Sequence, residues 1–174
     1  GGCDLILEDP FLADQSWCAM KTRVSRVRQV LPARVLYIVA GTSNGAEGWK
    51  RARIAQDAGC GLGVSLWSSL GTLQDIARHT ECPLFLHAGG EHVWTTGPFG
   101  MSPTVLRMLA HYAGCDSIPA GMFGGVYGEP LGELRDRIAA MRTSLPSFTG
   151  EMTPERASAL AAQLGPDVLL LGGS

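Results

Sequence analysis

Two adjacent carboxylates, Glu8 and Asp9, follow the first apolar run of the chain. Carboxylate oxygens are the ligands that Mg²⁺ prefers, so this pair could form part of a metal site. Successive side chains of a strand point to opposite faces, so at most one of the two faces inward if the strand continues regularly. Two carboxylates followed by Pro10 are also an ordinary exit from a strand into a loop, and the residues alone leave both interpretations open.

A histidine, His87, ends the fourth apolar run. Its imidazole titrates near neutral pH, and at the end of a buried strand it would be suited to proton transfer. The alternative is a histidine whose ring is satisfied by backbone carbonyl groups. A site that needs no metal could instead combine carboxylates and a histidine at the same end of the fold: Glu8, Glu91, His92 and Glu151.

Glycines follow the last two apolar runs. Gly150 comes after Thr149, and the final run is followed by Gly172 and Gly173. Glycine lets backbone N–H groups approach an anion closely, and barrels of alternating strands and helices often bind phosphate after their last strands. These four residues are therefore candidates for binding phosphate. Tight turns that simply require glycine are the alternative.

These residues lie at the ends of apolar runs that alternate with amphipathic helices. The runs predict strands at Cys3–Leu7, Val35–Val39, Leu62–Ser65, Leu84–His87, Ser117–Ala120, Leu145–Phe148 and Val168–Leu171. Spacings of three and four predict helices at Ser16–Leu31, Ala46–Ala58, Ser69–His79, Pro103–Ala113, Pro130–Met141 and Pro154–Leu164. In the first helix we expect Trp17 and Met20 in the core, and the basic residues Lys21, Arg23, Arg26 and Arg28 in solvent.

The strict alternation of strands and helices predicts parallel strands joined by right-handed crossovers. A doubly wound sheet usually has a glycine-rich phosphate loop after its first strand, and no such loop follows here. We therefore predict an α/β fold, a (β/α)8 TIM barrel of which residues 1–174 supply about seven strands. A first strand before Gly1 and a last helix after Ser174 are expected to complete it. No low-complexity linker divides the chain, which predicts one domain.

The composition narrows the class of protein. Apolar residues make up 45% and charged residues 17% of the 174 residues, as in globular domains. A net charge of -2 gives no reason to expect nucleic acid or an anionic membrane as a partner. No apolar run reaches the roughly 18 residues of a membrane span. The five cysteines lack C-x-x-C spacing, which argues against a disulfide framework or a zinc site and favours a reducing, cytoplasmic setting.

Several segments, taken in their order and spacing, resemble the RuBisCO large-subunit family across essentially the whole chain. Residues 1–10, GGCDLILEDP, are similar to that family's metal-binding strand, G-G-x-D-x-x-K-D-D-E, and residues 12–17 resemble the RuBisCO-like, or form IV, members. Residues 40–42 and 50–52 resemble the third barrel strand and its helix. Thr149-Gly150-Glu151 and Leu171-Gly172-Gly173 resemble the two phosphate-binding segments.

The resemblance implies a partial barrel preceded by a separate N-terminal α/β domain. It also implies a homodimer or higher oligomer, in which the partner's N-terminal domain completes each active site. Family members bind Mg²⁺ through a carbamylated lysine, an aspartate and a glutamate, and they enolise a phosphorylated substrate. Asp9 would then be a metal ligand or acid/base, with Glu8 as a stand-in ligand, and His87 would transfer a proton or orient the substrate. The phosphate would be held by Thr149, Gly150, Gly172 and Gly173.

The chain departs from the family pattern at several functional positions. The carbamylated lysine falls on Leu7 and the glutamate ligand on Pro10, and neither residue has a ligand atom. The arginine after the strand-four histidine is Ala88, the catalytic lysine of carboxylases falls near Val126, and Glu151 replaces a glycine of the phosphate loop.

These departures argue against CO₂ fixation. The function that the resemblance still implies is an enolase or isomerase that acts on a small phosphorylated carbonyl compound. The diketo-methylthiopentyl-phosphate enolases of methionine salvage are relatives of this kind. The alternative is a catalytically inactive homologue that binds a ligand or a partner.

Overall fold

The computed structural model describes residues 2–66, 68–123, 128–150 and 152–172. Its strands are β1 Leu5–Leu7, β2 Leu36–Ala40, β3 Gly61–Ser65, β4 Leu84–His87, β5 Ser117–Met122, β6 Leu145–Thr149 and β7 Leu169–Leu170. Its helices are α1 Met20–Val30, α2 Gly45–Asp57, α3 Leu70–His79, α4 Glu91–Thr95, α5 Pro103–Tyr112, α6 Leu131–Met141 and α7 Pro154–Leu164. The predicted alternation of seven strands with helices is confirmed.

The strands form one sheet in the order of the sequence. Each strand pairs in parallel with the next, from Leu5 beside Leu36 at one edge to Phe148 beside Leu170 at the other. A doubly wound sheet would reverse its strand order at a switch point. Sequential order is instead the winding of a (β/α) barrel, and the seven strands form a curled partial barrel. The predicted fold class is confirmed.

The two faces of the sheet carry different residues. One face packs against the helices and contains Tyr37, Val39, Leu62, Val64, Leu84, Leu86, Ile118 and Phe148. Because side chains alternate along a strand, Phe85 and His87 of β4 face the barrel interior. Two glycines of β3 leave room for them. A Cβ added to Gly61 would lie 3.2 Å from Cε2 of Phe85, and one added to Gly63 would lie 2.8 Å from Nε2 of His87.

Three helices begin as their sequences predict. The hydroxyl groups of Ser69, Ser102 and Thr153 accept hydrogen bonds from backbone N–H groups in the first turns of α3, α5 and α7. Proline occupies the first turn of α5 and of α7, where its missing N–H would have no helical partner. These caps fix where each loop at the carboxyl ends of the strands returns to the helix layer.

The structure of the first helix differs from the prediction in two respects. It begins at Met20 rather than Ser16, because a separate 3-10 turn, Ser16–Cys18, precedes it and Ala19 is extended. Trp17 is consequently 75% exposed instead of buried. Arg23, expected in solvent, is only 7% exposed. Hydrophobic periodicity alone could not separate the turn from the helix, because Trp17 and Met20 also have helical spacing.

The five cysteines are free thiols, as expected for a chain without a disulfide framework. Cys60, Cys82 and Cys115 are buried just before β3, β4 and β5, at the amino ends of these strands. Burial raises the pKa of the Cys82 and Cys115 thiols to about 12, so both remain protonated. In the described ranges no helix is long and apolar enough to cross a membrane.

Candidate functional site

The carboxyl ends of parallel strands meet at one end of the barrel, where enzymes of this architecture have their active sites. We call this end the mouth, and it carries Asp9, Thr42, His87, Met122, Thr149 and Gly172. The predicted residues His87, Asp9, Thr149, Gly150 and Gly172 all lie at or just after strand ends of the mouth. Gly173 and Glu151 lie outside the described residues.

His87 is the most unusual polar side chain of the mouth. Its Nε2 atom is buried and has no hydrogen-bond partner, which is rare for a buried polar atom and costs stability. Burial lowers the pKa of the imidazole, and the negative charge of Asp9 opposes this effect only in part. The ring is therefore neutral at physiological pH and keeps a lone pair that can accept a proton.

Asp9 is exposed and lies within electrostatic reach of His87, since its charge acts on that imidazole. One carboxylate oxygen accepts a hydrogen bond of 2.8 Å from the backbone N–H of Phe11 and so caps the 3-10 turn Pro10–Leu12. This cap leaves the second oxygen, and the charge, available at the mouth.

Glu8 points the other way, toward helix α1. Both its oxygens accept from the Arg23 guanidinium at 3.0 Å, and Oε2 also accepts from the Ala40 N–H at 2.8 Å. The Tyr37 hydroxyl donates to Oε1. Burial raises the pKa of Tyr37, and Glu8 raises it further, so the phenol stays protonated as a donor. Both oxygens of Glu8 are thus hydrogen-bonded on the helix side of the sheet, away from the barrel interior. This agrees with the expectation that at most one of the two carboxylates faces the barrel interior.

A cavity of about 580 Å³ opens at the mouth between the ends of β4, β5 and β6. Its polar lining consists of Glu91, His92, Arg107, Glu129, Arg137 and Thr149. The Arg107 guanidinium pairs with both oxygens of Glu91, and Arg137 pairs with Glu129. The side chains predicted for a metal-free site are therefore only partly together: Glu91 and His92 line this cavity, and Glu8 is held at α1.

Arginines from four helices reach the mouth from the helix layer, a pattern that was not predicted from the sequence. Each donates to a backbone carbonyl in or just after a strand, and each pairs with a carboxylate of the loops or helix starts at the mouth. The pairs are Arg23–Glu8, Arg51–Asp14, Arg107–Glu91 and Arg137–Glu129. Arginine on an amphipathic helix usually indicates a solvated face. For Arg23, Arg107 and Arg137 the one available signal was an acidic residue between the preceding strand and the helix.

The candidate phosphate-binding residues lie next to one another. Thr149 ends β6 and lines the cavity, and the Leu171 N–H donates to the Phe148 carbonyl at 2.9 Å, which brings the end of β7 beside it. Gly150 has a φ of +121°, a conformation that side chains strongly disfavour. Gly172 follows directly on Leu171 and is exposed. Thr149, Gly150 and Gly172 thus lie close together at the ends of β6 and β7.

The residues of the β1 end do not fit the Mg²⁺ site that the resemblance implies. Leu7 lies beside Ile38 on the interior face, where the family lysine would be, and it has no ligand atom. Pro10 has none either, and Glu8 is engaged with Arg23. Within the described part of the chain, no three His, Cys, Asp or Glu side chains come together to hold a metal ion.

A partial parallel (β/α) barrel with a neutral histidine at its mouth is the class that fold and site define. Comparison with solved structures shows which barrels the fold resembles. The chain superimposes on a rubisco-like protein from Burkholderia fungorum with a TM-score of 0.81 at 18% identity, over 99% of this chain and 47% of that one. A rubisco-like protein (MtnW) from Alicyclobacillus acidocaldarius gives a TM-score of 0.77 at 19% identity, over 97% and 47%.

The octameric ribulose-1,5-bisphosphate carboxylase/oxygenase from Pyrococcus horikoshii OT3 gives a TM-score of 0.81 at 19% identity, over 99% of this chain and 45% of that one. The chain therefore has the fold of the barrel of rubisco and rubisco-like proteins, and it spans under half the length of these chains. No protein-family model and no curated protein matches the sequence.

Proposed function

We propose that this chain is the barrel of a rubisco-like protein that catalyses an enolase- or isomerase-type proton transfer on a small phosphorylated carbonyl compound. The observation that carries the proposal is His87, a neutral imidazole with an unpartnered Nε2, on the interior face at the carboxyl end of β4. A group with these properties at this position of the barrel is suited to remove a proton next to a carbonyl group.

In this mechanism His87 takes a proton from the carbon beside the carbonyl. The electron pair of the broken C–H bond forms a C=C bond while the carbonyl π electrons move onto oxygen, which gives an enolate. The negative charge of Asp9 favours the imidazolium that forms. Nε2 makes no hydrogen bond that would have to break before it accepts the proton. Return of the proton to another carbon would complete an isomerisation.

The phosphate group of the substrate would lie between the ends of β6 and β7. We assign it to the Thr149 hydroxyl and to the backbone N–H groups of Gly150, Gly172 and Gly173. Glycine at these positions lets the backbone approach the anion closely. CO₂ fixation is not proposed, because Leu7 cannot carry the carbamate on which the carboxylases of this family depend.

We also propose a homodimer or higher oligomer in the cytoplasm, with the partner's N-terminal domain over the mouth. Large apolar side chains on two loops of the mouth support this arrangement: Phe11 is 85%, Trp17 75% and Phe99 97% exposed. Large exposed apolar side chains at one end of a fold are a common feature of protein interfaces.

A catalytically inactive homologue that binds a ligand or a partner is the second candidate. The observation that favours it is the pairing of Glu8 with Arg23, which leaves Asp9 as the single remaining counterpart of the family's metal ligands. Such a protein would keep the anion site and the exposed apolar loops without turnover.

Proton exchange distinguishes the two candidates. The full-length protein is incubated with diketo-methylthiopentyl phosphate in D₂O, and deuterium incorporation next to the carbonyl is followed by ¹H NMR. We expect incorporation that falls at least ~100-fold in His87→Gln, the usual contribution of a general base. His79→Gln, on the exposed end of α3, is the matched control. Saturable binding without any incorporation would reject the enolase and leave the inactive homologue.

A further inference from the structure

Four of the described carboxylates at the mouth are neutralised by arginines of the same chain. Four arginines on α1, α2, α5 and α6 reach the mouth from the helix layer, and each has one of these four carboxylates among its partners: Glu8, Asp14, Glu91 or Glu129. Arg23, Arg107 and Arg137 are buried, so these pairs are held in place by the packing of the helices.

The geometry of the pairs leaves little capacity for a cation. Glu8 and Glu91 each face a guanidinium with both oxygens. Glu129 uses one oxygen on Arg137 and the other on the backbone N–H of Met122, at 2.9 Å. A divalent ion at any of these carboxylates would have to displace an arginine or lie beside its positive charge, and both are unfavourable.

Asp9 is the exception, since its second oxygen has no competing arginine among the described contacts. A single carboxylate is a weak anchor for Mg²⁺, which retains most of its waters unless further oxygen ligands are supplied. The neighbouring side chains of Leu7 and Pro10, at the positions of the family's other ligands, have no ligand atom to supply.

We infer that the mouth of this chain works without a resident divalent cation, because helix-borne arginines neutralise four of its described carboxylates and Asp9 lacks side-chain ligands beside it. This inference concerns metal binding by the protein alone. Metal binding is measured without substrate, so its result is independent of whether the proposed proton transfer occurs.

Mn²⁺ is a suitable probe, because the EPR signal of the free aquo ion disappears when the ion binds. The full-length protein is titrated with millimolar MnCl₂, with and without bicarbonate, and compared with Asp9→Asn. We expect the signal of the wild-type protein to equal that of protein-free buffer in both media. A loss of signal in the wild-type protein that Asp9→Asn restores would overturn the inference.

Two further outcomes are informative. A loss of signal that depends on bicarbonate would also overturn the inference, because it would mean that a carbamylated lysine elsewhere supplies a ligand. A loss that persists unchanged in Asp9→Asn, Glu91→Gln and Glu129→Gln would place the ion away from the mouth, as the inference requires.

Discussion

At the scale of single residues, the opposite orientations of Glu8 and Asp9 decide what the end of β1 can do. Glu8 turns toward the helices, where Arg23, Tyr37 and the Ala40 N–H bind it, and Asp9 turns toward His87. The alternation of side chains along a strand made one inward carboxylate predictable. It could not indicate which of the two residues that would be, because the partner of Glu8 lies fifteen residues away on α1.

Arg23→Gln tests the importance of this pair for stability. Removing one partner leaves the other charge buried without a counter-ion, so we expect the free energy of unfolding to fall by about 3–5 kcal/mol. Arg26→Gln, at an exposed position of the same helix, should change it by less than about 0.5 kcal/mol. Urea unfolding followed by circular dichroism gives both values. Equal effects of the two substitutions would contradict a structural role for the pair.

The titration of His87 gives a second test at this scale. Its pKa lies below the ordinary value of about 6.5, so below that pH the unfolded chain binds more protons than the folded chain. The neutral ring therefore makes its full contribution to the free energy of unfolding above pH 6.5. This contribution is lost as the pH falls from 6.5 through the lower pKa of the folded state. Asp9→Asn removes a charge that raises this pKa, and we expect it to lower the pKa further.

Two-dimensional ¹H–¹⁵N NMR of the imidazole groups measures this directly. Asp57→Asn, at the exposed far end of α2, is the control and should leave the His87 pKa unchanged. An unshifted His87 pKa in Asp9→Asn would show that the two groups do not interact.

At the scale of secondary-structure elements, β3 determines where His87 lies. Its glycines carry no Cβ, and the β4 side chains occupy the space that this leaves. We expect Gly63→Ala to force the imidazole to move, because the new Cβ would lie 2.8 Å from Nε2. Overpacking of this kind typically costs about 1–3 kcal/mol. The displacement should also shift the His87 resonances and reduce deuterium incorporation into the substrate.

Gly71→Ala is the matched control for this substitution. Gly71 lies in α3 and has no atom within 4 Å of an added Cβ, so alanine should stabilise the helix by about 0.5–1 kcal/mol. Thermal unfolding of the two variants gives the comparison. A Gly63→Ala protein as stable as the wild type, with unchanged His87 resonances, would mean that the ring is not confined by β3.

Most of the strands and helices, but not the cavity at the mouth, were predictable from the sequence. Short apolar runs located all seven strands, and the prolines Pro103 and Pro154 marked the starts of α5 and α7. The short helix α4 lay in what the sequence indicated only as a loop, because its five residues carry too little periodicity. The cavity lined by Arg107 and Arg137 was not predictable either. It depends on loops and helices brought together by the barrel, not on the spacing of residues along the chain.

At the scale of the whole molecule, exposed apolar residues are distributed unevenly between the two ends of the barrel. Phe11, Trp17 and Phe99 lie on loops of the mouth, whereas Val30, 80% exposed, lies at the end of α1 that is remote from the mouth. If a partner subunit covers the mouth, as we propose, then burial of the first group should stabilise the assembly and Val30 should contribute nothing.

The double substitution Phe11→Ser with Trp17→Ser in the full-length protein tests this difference. Both side chains are largely exposed, so the fold should be retained, while the loss of two aromatic anchors should weaken self-association at least tenfold, equivalent to about 1.4 kcal/mol. Val30→Ser is the control for removing an exposed apolar side chain. Sedimentation velocity over a dilution series reports the association constant of each protein. If both variants associate as the wild type does, the apolar loops of the mouth do not form the subunit interface, and the partner must contact the barrel elsewhere.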